Sequence, residues 1–259
     1  MDKELRLSVS KVKCYESCHK KFYYTYVVKM PRKEYEFFTF GKVIHKTLED
    51  FHIAYLQGSK EKYNQVMTEA FKVAKATYQS QMTPEMSKEC FQILNQYLKI
   101  ISTNSEHNLS THVIAAEKSF QVSLSDNITL IGAIDRTQID QDNILHISDY
   151  KTTKNKKYLQ DDYFQLQTYA MVMMLEDPTL QKVRVSYILL RHNFEYLTWE
   201  FTREDIAPLR QKYIDYAQKI IAEEKFEANP SKLCRYCDFI DICEEGRKIL
   251  NKSNGEVDW

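Results

Sequence analysis

Glycine and proline are scarce: five of each occur in 259 residues. So few breakers argue against long flexible linkers and for a high helix content. The chain also lacks a charge excess of either sign, because 36 basic side chains balance 36 acidic ones. That argues against a large nonspecific nucleic-acid binder, although charge can still be segregated on one face. Long hydrophobic runs are missing too. The most apolar short run, Tyr169 to Leu175, falls far below the ~20 residues of a membrane-spanning helix. The first residues, Met1 to Arg6, hold no apolar stretch of signal-peptide type, so a cytoplasmic location is the expectation. There is no internal repeat and no low-complexity tract. No P-loop is present, so any unwinding of nucleic acid would have to come from another chain.

What is there fits a soluble globular protein with enough chain for one sizeable core or two small ones. Six cysteines occur, and Cys234-x2-Cys237-x5-Cys243 places three of them within ten residues. In a long chain without a leader, this spacing favours metal or cluster ligation over a disulfide framework.

The elements follow from pattern. Ser8 and Ser10 precede Lys11 to Cys18 as a capped helix start, and the segment continues through the aromatic stripe Phe22, Tyr23, Tyr24 and Tyr26. After a break at Pro31, three helical stretches are expected over about 40–57, 60–80 and 84–106, with apolar positions such as Phe71, Ala74 and Tyr78 three and four residues apart. From about 112 the periodicity becomes that of strands: 113–122, 128–139 and 144–151, rich in β-branched residues. A helix over about 160–176, a hairpin of 183–191 and 196–201 around His192-Asn193, and a long helix over 203–224 complete the order. This predicts an α/β domain with a central mixed sheet flanked by helices.

The chemistry concentrates at Gly132-Ala133-Ile134-Asp135 and Asp149-Tyr150-Lys151-Thr152. Strand side chains alternate faces, so Asp149 and Lys151 point the same way. Two acids able to share a divalent cation, Mg2+ or Mn2+, with a lysine beside them, suit phosphodiester hydrolysis: the cation activates water and binds phosphate, and the lysine stabilises developing charge. Lys154, Lys156 and Lys157 follow directly and are candidates for phosphate contacts. Gly132 marks a bulge or a close backbone approach.

Three further pieces flank this pair: Gly41-x3-His45 upstream, Gln165-x3-Tyr169 downstream, and cysteines near both ends, Cys18 and Cys234-x2-Cys237-x5-Cys243. In this order the chain resembles the PD-(D/E)XK nuclease superfamily, and within it the RecB-like branch with an iron–sulfur cluster, similar to the AddB nuclease domain and the CRISPR-associated exonucleases. The resemblance implies one nuclease domain over 1–259 with a restriction-endonuclease-like core: cluster-binding ends at 8–30 and 230–245, a helical region at 40–107, and a sheet-containing catalytic core at 112–224. It implies a metal site of His45, Asp135, Asp149 and the Tyr150 backbone carbonyl. Lys151 would be catalytic, and Glu117, Gln165 and Tyr169 would act on or position the reacting groups. It also implies a 4Fe-4S cluster on Cys18, Cys234, Cys237 and Cys243, with Cys14 and Cys90 spare. Zinc remains the alternative on ligand type alone. The family usually has proline after its first cysteine; His19 stands there.

The resemblance points to a DNA exonuclease on single strands or duplex ends, in recombination, repair or CRISPR adaptation, with a helicase or recombination or CRISPR protein as possible partner. Two other readings stay open. One is a noncatalytic nucleic-acid-binding module with a structural metal. The other is a nuclease subunit active only in a larger complex.

Overall fold

The computed structural model describes residues 4–33, 36–102 and 113–253. Six strands form one mixed sheet: β1 (Leu5–Leu7), β2 (Val113–Ser125), β3 (Ile128–Ile139), β4 (Leu145–Lys151), β5 (Lys182–Leu189) and β6 (Glu195–Thr202), in the order β1-β3-β4-β5-β6 with β2 also paired to β3. β3 and β4 are antiparallel, β4 and β5 parallel, and β5 and β6 antiparallel. The parallel step requires a crossover, which α6 (Phe164–Glu176) supplies. Among the described residues eight α-helices accompany the sheet, so the expected α/β class holds.

Chain contacts divide the described residues into two compact units. The larger takes 36–102, 113–122 and 131–210. Its helices α3 (Glu36–Leu56), α4 (Tyr63–Thr77) and α5 (Pro84–Ser102) share a core of Ile44, Leu48, Phe51, Leu94 and Tyr97 with Tyr150 and Ile188 of the strands. Apolar positions three and four apart put one stripe of each helix into that core. The expected end of the third helix, 103–106, lies outside the described residues. Burying groups of this size on both α3 and β4 fixes the helix that carries His45 against the strand that carries Asp149.

The smaller unit takes 4–33, 123–130 and 211–253. Here β1 runs parallel to the first residues of β3, with Leu5 opposite Ile128. The Ser8 hydroxyl caps α1 (Val9–Ser17) by accepting the Lys11 N–H at 3.2 Å, as the sequence predicts. The continuous helix through Tyr26 is corrected, however. Cys18 is extended (φ −167°, ψ 115°) and separates α1 from α2 (His19–Phe22), which passes into a π-helical turn over Tyr23–Val27. Two further elements were not expected from the sequence, β1 and a last helix α8 (Glu244–Ser253). The long helix α7 is Arg203–Ala222. Phe22 stacks on Phe226 at 6.2 Å, so part of the aromatic stripe is core, while Tyr23 is exposed.

Candidate active site

Strand register brings the acids together. Arg136 on β3 pairs with Ser148 on β4, which makes Asp135 and Asp149 neighbours across the two strands. The Tyr150 N–H donates to Asp135 Oδ2 at 2.8 Å. Asp149 is 3% exposed. Lys151, two residues on and on the same face, places Nζ 2.7 Å from Asp149 Oδ2. The Lys151 ammonium is thus the partner of the buried Oδ2.

One amide orders the rest. Gln165 on α6 accepts from Lys151 Nζ at 2.9 Å and donates to Asp149 Oδ1 at 2.9 Å. Gln165 Nε2 also lies 2.7 Å from the Tyr169 hydroxyl, one helical turn along, which reaches Asp149 Oδ1 at 3.5 Å. Gln165 therefore fixes the acid and the lysine relative to each other. The Lys151 ammonium also sits 4.7 Å over the Tyr187 ring.

His45 on α3 reaches the same point from the helical side, with Nδ1 3.2 Å from Asp135 Oδ2. Burial opposes charge on His45, but the Asp135 and Asp149 carboxylates outweigh it and raise the imidazole to about 9. Burial likewise pushes the Asp135 carboxyl up, yet His45 and the Tyr150 N–H overcome it and hold it below the ordinary value. For Asp149 burial wins, and its carboxyl stays raised despite Lys151. Glu117 lies in β2 with a left-handed backbone (φ 47°). Its carboxyl is raised by burial and by the charges of Asp135 and Glu49, so it belongs to the same acidic neighbourhood.

A cleft of about 800 Å³ opens over these groups, lined by His45, Asp135, Asp149, Tyr150, Lys151, Gln165 and Tyr169. Lys154 lines it too, whereas Lys156 and Lys157 do not; Lys156 pairs with Glu195 instead. The cleft wall also holds residues that the sequence did not single out. Arg191 chelates Glu89 (2.6 and 2.9 Å), donates to the Thr152 carbonyl and stacks 3.8 Å over Phe40. Only its place at the end of a strand could have drawn attention to it. Gly132 is the close approach its position implied: a Cβ there would lie 2.4 Å from Phe120 Cζ.

The donor set suits a hard divalent cation: two carboxylates and an imidazole face one cleft. Among the described residues no three His, Cys, Asp or Glu side chains already enclose a single point as an ion would require. The Lys151 and His45 cations compensate the carboxylates directly.

In the smaller unit, Cys18, Cys234, Cys237 and Cys243 line one cavity of about 80 Å³, together with Lys20 and Lys21. The Asn229 N–H points at Cys18 Sγ (3.4 Å) and the Ser231 N–H at Cys234 Sγ (3.3 Å). A Cβ on Gly246 would stand 3.5 Å from Cys243 Sγ and 3.6 Å from Cys234 Sγ, so its absence leaves room beside the sulfurs. Burial raises the Cys237 and Cys243 thiols. Cys14 does not line this cavity, and Cys90 is buried in the helical core of the larger unit.

Residues 6–244 match the family model of the PD-(D/E)XK nuclease superfamily. No curated protein sequence matches the chain significantly. Among solved structures, the "Putative exonuclease" from Eubacterium rectale is similar at 11% identity, over 97% of this chain and 94% of that one, with a TM-score of 0.57. The crystal structure of SSO0001 aligns at 14% identity over 94% of this chain and 88% of that one, with a TM-score of 0.43. At such identities the Eubacterium likeness speaks to the fold alone.

Proposed function

Because the chain belongs to the PD-(D/E)XK nuclease superfamily, we propose that it is a metal-dependent DNA nuclease, acting as an exonuclease on single strands or duplex ends. The observation that carries this reading is the Asp135–Asp149–Lys151 constellation, held by Gln165 at the floor of an open cleft. A wall with Lys154 and Arg191 on it fits a polyanionic substrate.

Asp135, Asp149, His45 and the Tyr150 carbonyl would hold Mg2+ or Mn2+, which supplies Lewis-acid polarisation of phosphate and a lowered water pKa. The remaining work falls to the chain. Lys151, with Nζ 2.7 Å from Asp149 Oδ2, offers its charge to the phosphate as negative charge develops. Gln165 and Tyr169 restrict Asp149 to one rotamer, so no reorganisation is needed during the reaction. Glu117 adds a partly buried acid close enough to feel the Asp135 charge, placed to orient the reacting groups. Lys154 contacts phosphate at the cleft edge, with Lys156 and Lys157 as outlying basic groups.

For the cysteines we favour a 4Fe-4S cluster over zinc. A cavity of about 80 Å³ exceeds the ~10–15 Å³ that one water-sized probe occupies, which suits a many-atom cluster better than a single ion. N–H groups aimed at sulfur and lysines at the rim suit an anionic sulfur-ligated centre. The setting that goes with this reading is DNA recombination, repair or CRISPR adaptation, with a helicase or a recombination or CRISPR protein as partner.

Anaerobically purified protein, incubated with end-labelled single- and double-stranded DNA and magnesium, manganese or chelator, tests the proposal. Products released one nucleotide at a time from an end, in metal only, are expected. Cleavage undiminished by chelator would overturn the metal-dependent reading.

A further inference from the structure

Beyond the catalytic cleft, the larger unit carries a second groove of about 370 Å³. The two share Glu89, Lys154 and Arg191 on their walls, so the groove continues directly from the cleft. Its sides are Gln92 and Gln96 from α5 and His192 and Asn193 from the β5–β6 turn, over an apolar floor of Ile93 and Leu190. Gln92 and Gln96 stand one turn apart on the same helical face as Glu89. Asn193 and Phe194 both take left-handed backbone (φ 52° and 59°), which turns the chain tightly and brings the Asn193 amide to 3.5 Å from Gln96.

The geometry points to this groove as the subsite for the nucleotides next to the scissile phosphate, on one unpaired strand of nucleic acid. The inference rests on the nuclease reading and extends it. Four observations lead there. First, Arg191 is a rigid wall between cleft and groove: Glu89, the Thr152 carbonyl and the Phe40 ring all fix its guanidinium. Glu89 cancels its charge while each terminal nitrogen keeps a second N–H. Second, Lys154 is exposed and lines both spaces, so a strand crossing from one to the other passes its ammonium. Third, the other polar lining is mostly primary amide, at once donor and acceptor, which meets base edges and sugar hydroxyls without selecting one base. Fourth, a volume near 370 Å³ is that of a small-molecule pocket, large enough for the flanking nucleotide of one strand. Among the described residues no Phe, Tyr or Trp ring lines the groove, so recognition there rests mainly on phosphate charge and hydrogen bonding.

The test uses the full protein with two double variants, Gln92→Glu/Gln96→Glu and Gln92→Lys/Gln96→Lys. Gln92 is exposed and Gln96 half-buried on the helix surface, and unchanged circular dichroism and urea midpoint of both pairs confirm that the fold is kept. Fluorescence anisotropy with 5′-fluorescein-labelled octathymidylate, in chelator so that nothing is cut, should show at least tenfold weaker binding for the glutamate pair. The lysine pair should bind more tightly, with a salt slope steeper by about 1.4, as two added strand contacts predict. In manganese, the loss of kcat/KM on octathymidylate for the glutamate pair should exceed its loss on bis(4-nitrophenyl) phosphate by tenfold or more, since that diester has no flanking nucleotides. Equal losses on the two substrates, unchanged binding of octathymidylate by both pairs, or no binding by the wild type would overturn the groove assignment. A wild type that binds octathymidylate through these residues but cuts neither substrate would overturn the nuclease reading and leave the groove standing.

Discussion

Gly132→Ala tests whether backbone contact at the strand crossing holds the active-site floor. The added Cβ would meet Phe120 at 2.4, 2.9 and 3.2 Å from three ring carbons, against an optimum near 3.5–4.0 Å. The ring tip must retreat by about 1 Å to restore that separation. Phe120 is 6% exposed and edge-on to Tyr169 at 6.2 Å, so its retreat repacks that neighbour. Overpacking of this kind costs about 1–3 kcal/mol, reduced by roughly 0.5–1 kcal/mol because alanine loses less backbone entropy than glycine. A net loss of about 1–2 kcal/mol is expected in urea unfolding. Activity should fall as well, because displacing Phe120 presses on Tyr169, which reaches Asp149 and Gln165. Phe120→Leu in the same background should recover part of both losses, giving a favourable coupling in the double-mutant cycle. Additive effects, or a Gly132→Ala protein as stable and active as wild type, would refute the reasoning.

Other outcomes follow from the same geometry. Gln165→Leu should lower kcat more than it raises KM, because it releases both Asp149 and Lys151; a pure KM effect would count against its positioning role. His45→Ala should raise the magnesium or manganese concentration needed for half-maximal rate, and an unchanged metal titration would remove His45 from the ligand set. His146 is buried, hydrogen-bonded to Ser186 at 2.8 Å, and lowered to about 4 by burial and by Arg136. Its neutral form is the folded one, so its contribution is complete above about pH 6.5 and drains away as pH falls toward 4. By pH 5 wild type should lose about 2 kcal/mol of unfolding free energy that His146→Gln does not lose; parallel pH profiles of the two proteins would contradict this. Replacing Cys18, Cys234, Cys237 or Cys243 with serine should remove iron and lower stability, while Cys14→Ser and Cys90→Ser keep the iron; stoichiometric zinc in place of iron and sulfide would favour a zinc site.

How far the sequence could be read depended on the range of the interaction. Asp149 and Lys151 share a face because the strand period is two, and Gln165 and Tyr169 because the helix advances by a turn in four residues; both are local and both appear in the structure. The pairing of Asp135 beside Asp149 needed only a short connection between β3 and β4. By contrast, β1 is three residues long and owes its existence to Ile128–Leu130, far along the chain, so no local pattern announces it. The break at Cys18 is equally invisible in the sequence: the segment has helical periodicity, and the extended residue makes sense only with Asn229 beside its sulfur. Arg191 reads as a strand-end arginine until Glu89 and Phe40 are seen around it. Lys154, Lys156 and Lys157 look equivalent in sequence, and the ion pair with Glu195 separates them.

The most direct test of the account is the single-turnover degradation of a 3′-labelled single-stranded oligonucleotide by wild type and Lys151→Ala in manganese. Lys151 is partly buried, with Nζ 2.7 Å from Asp149 Oδ2, so its loss should cost at least the ~10²–10³-fold typical of one removed charge-stabilising donor. Wild-type cleavage with Lys151→Ala reduced by that factor, at unchanged circular dichroism, is the predicted result. Equal rates for the two proteins, with contaminating nuclease excluded, would contradict it.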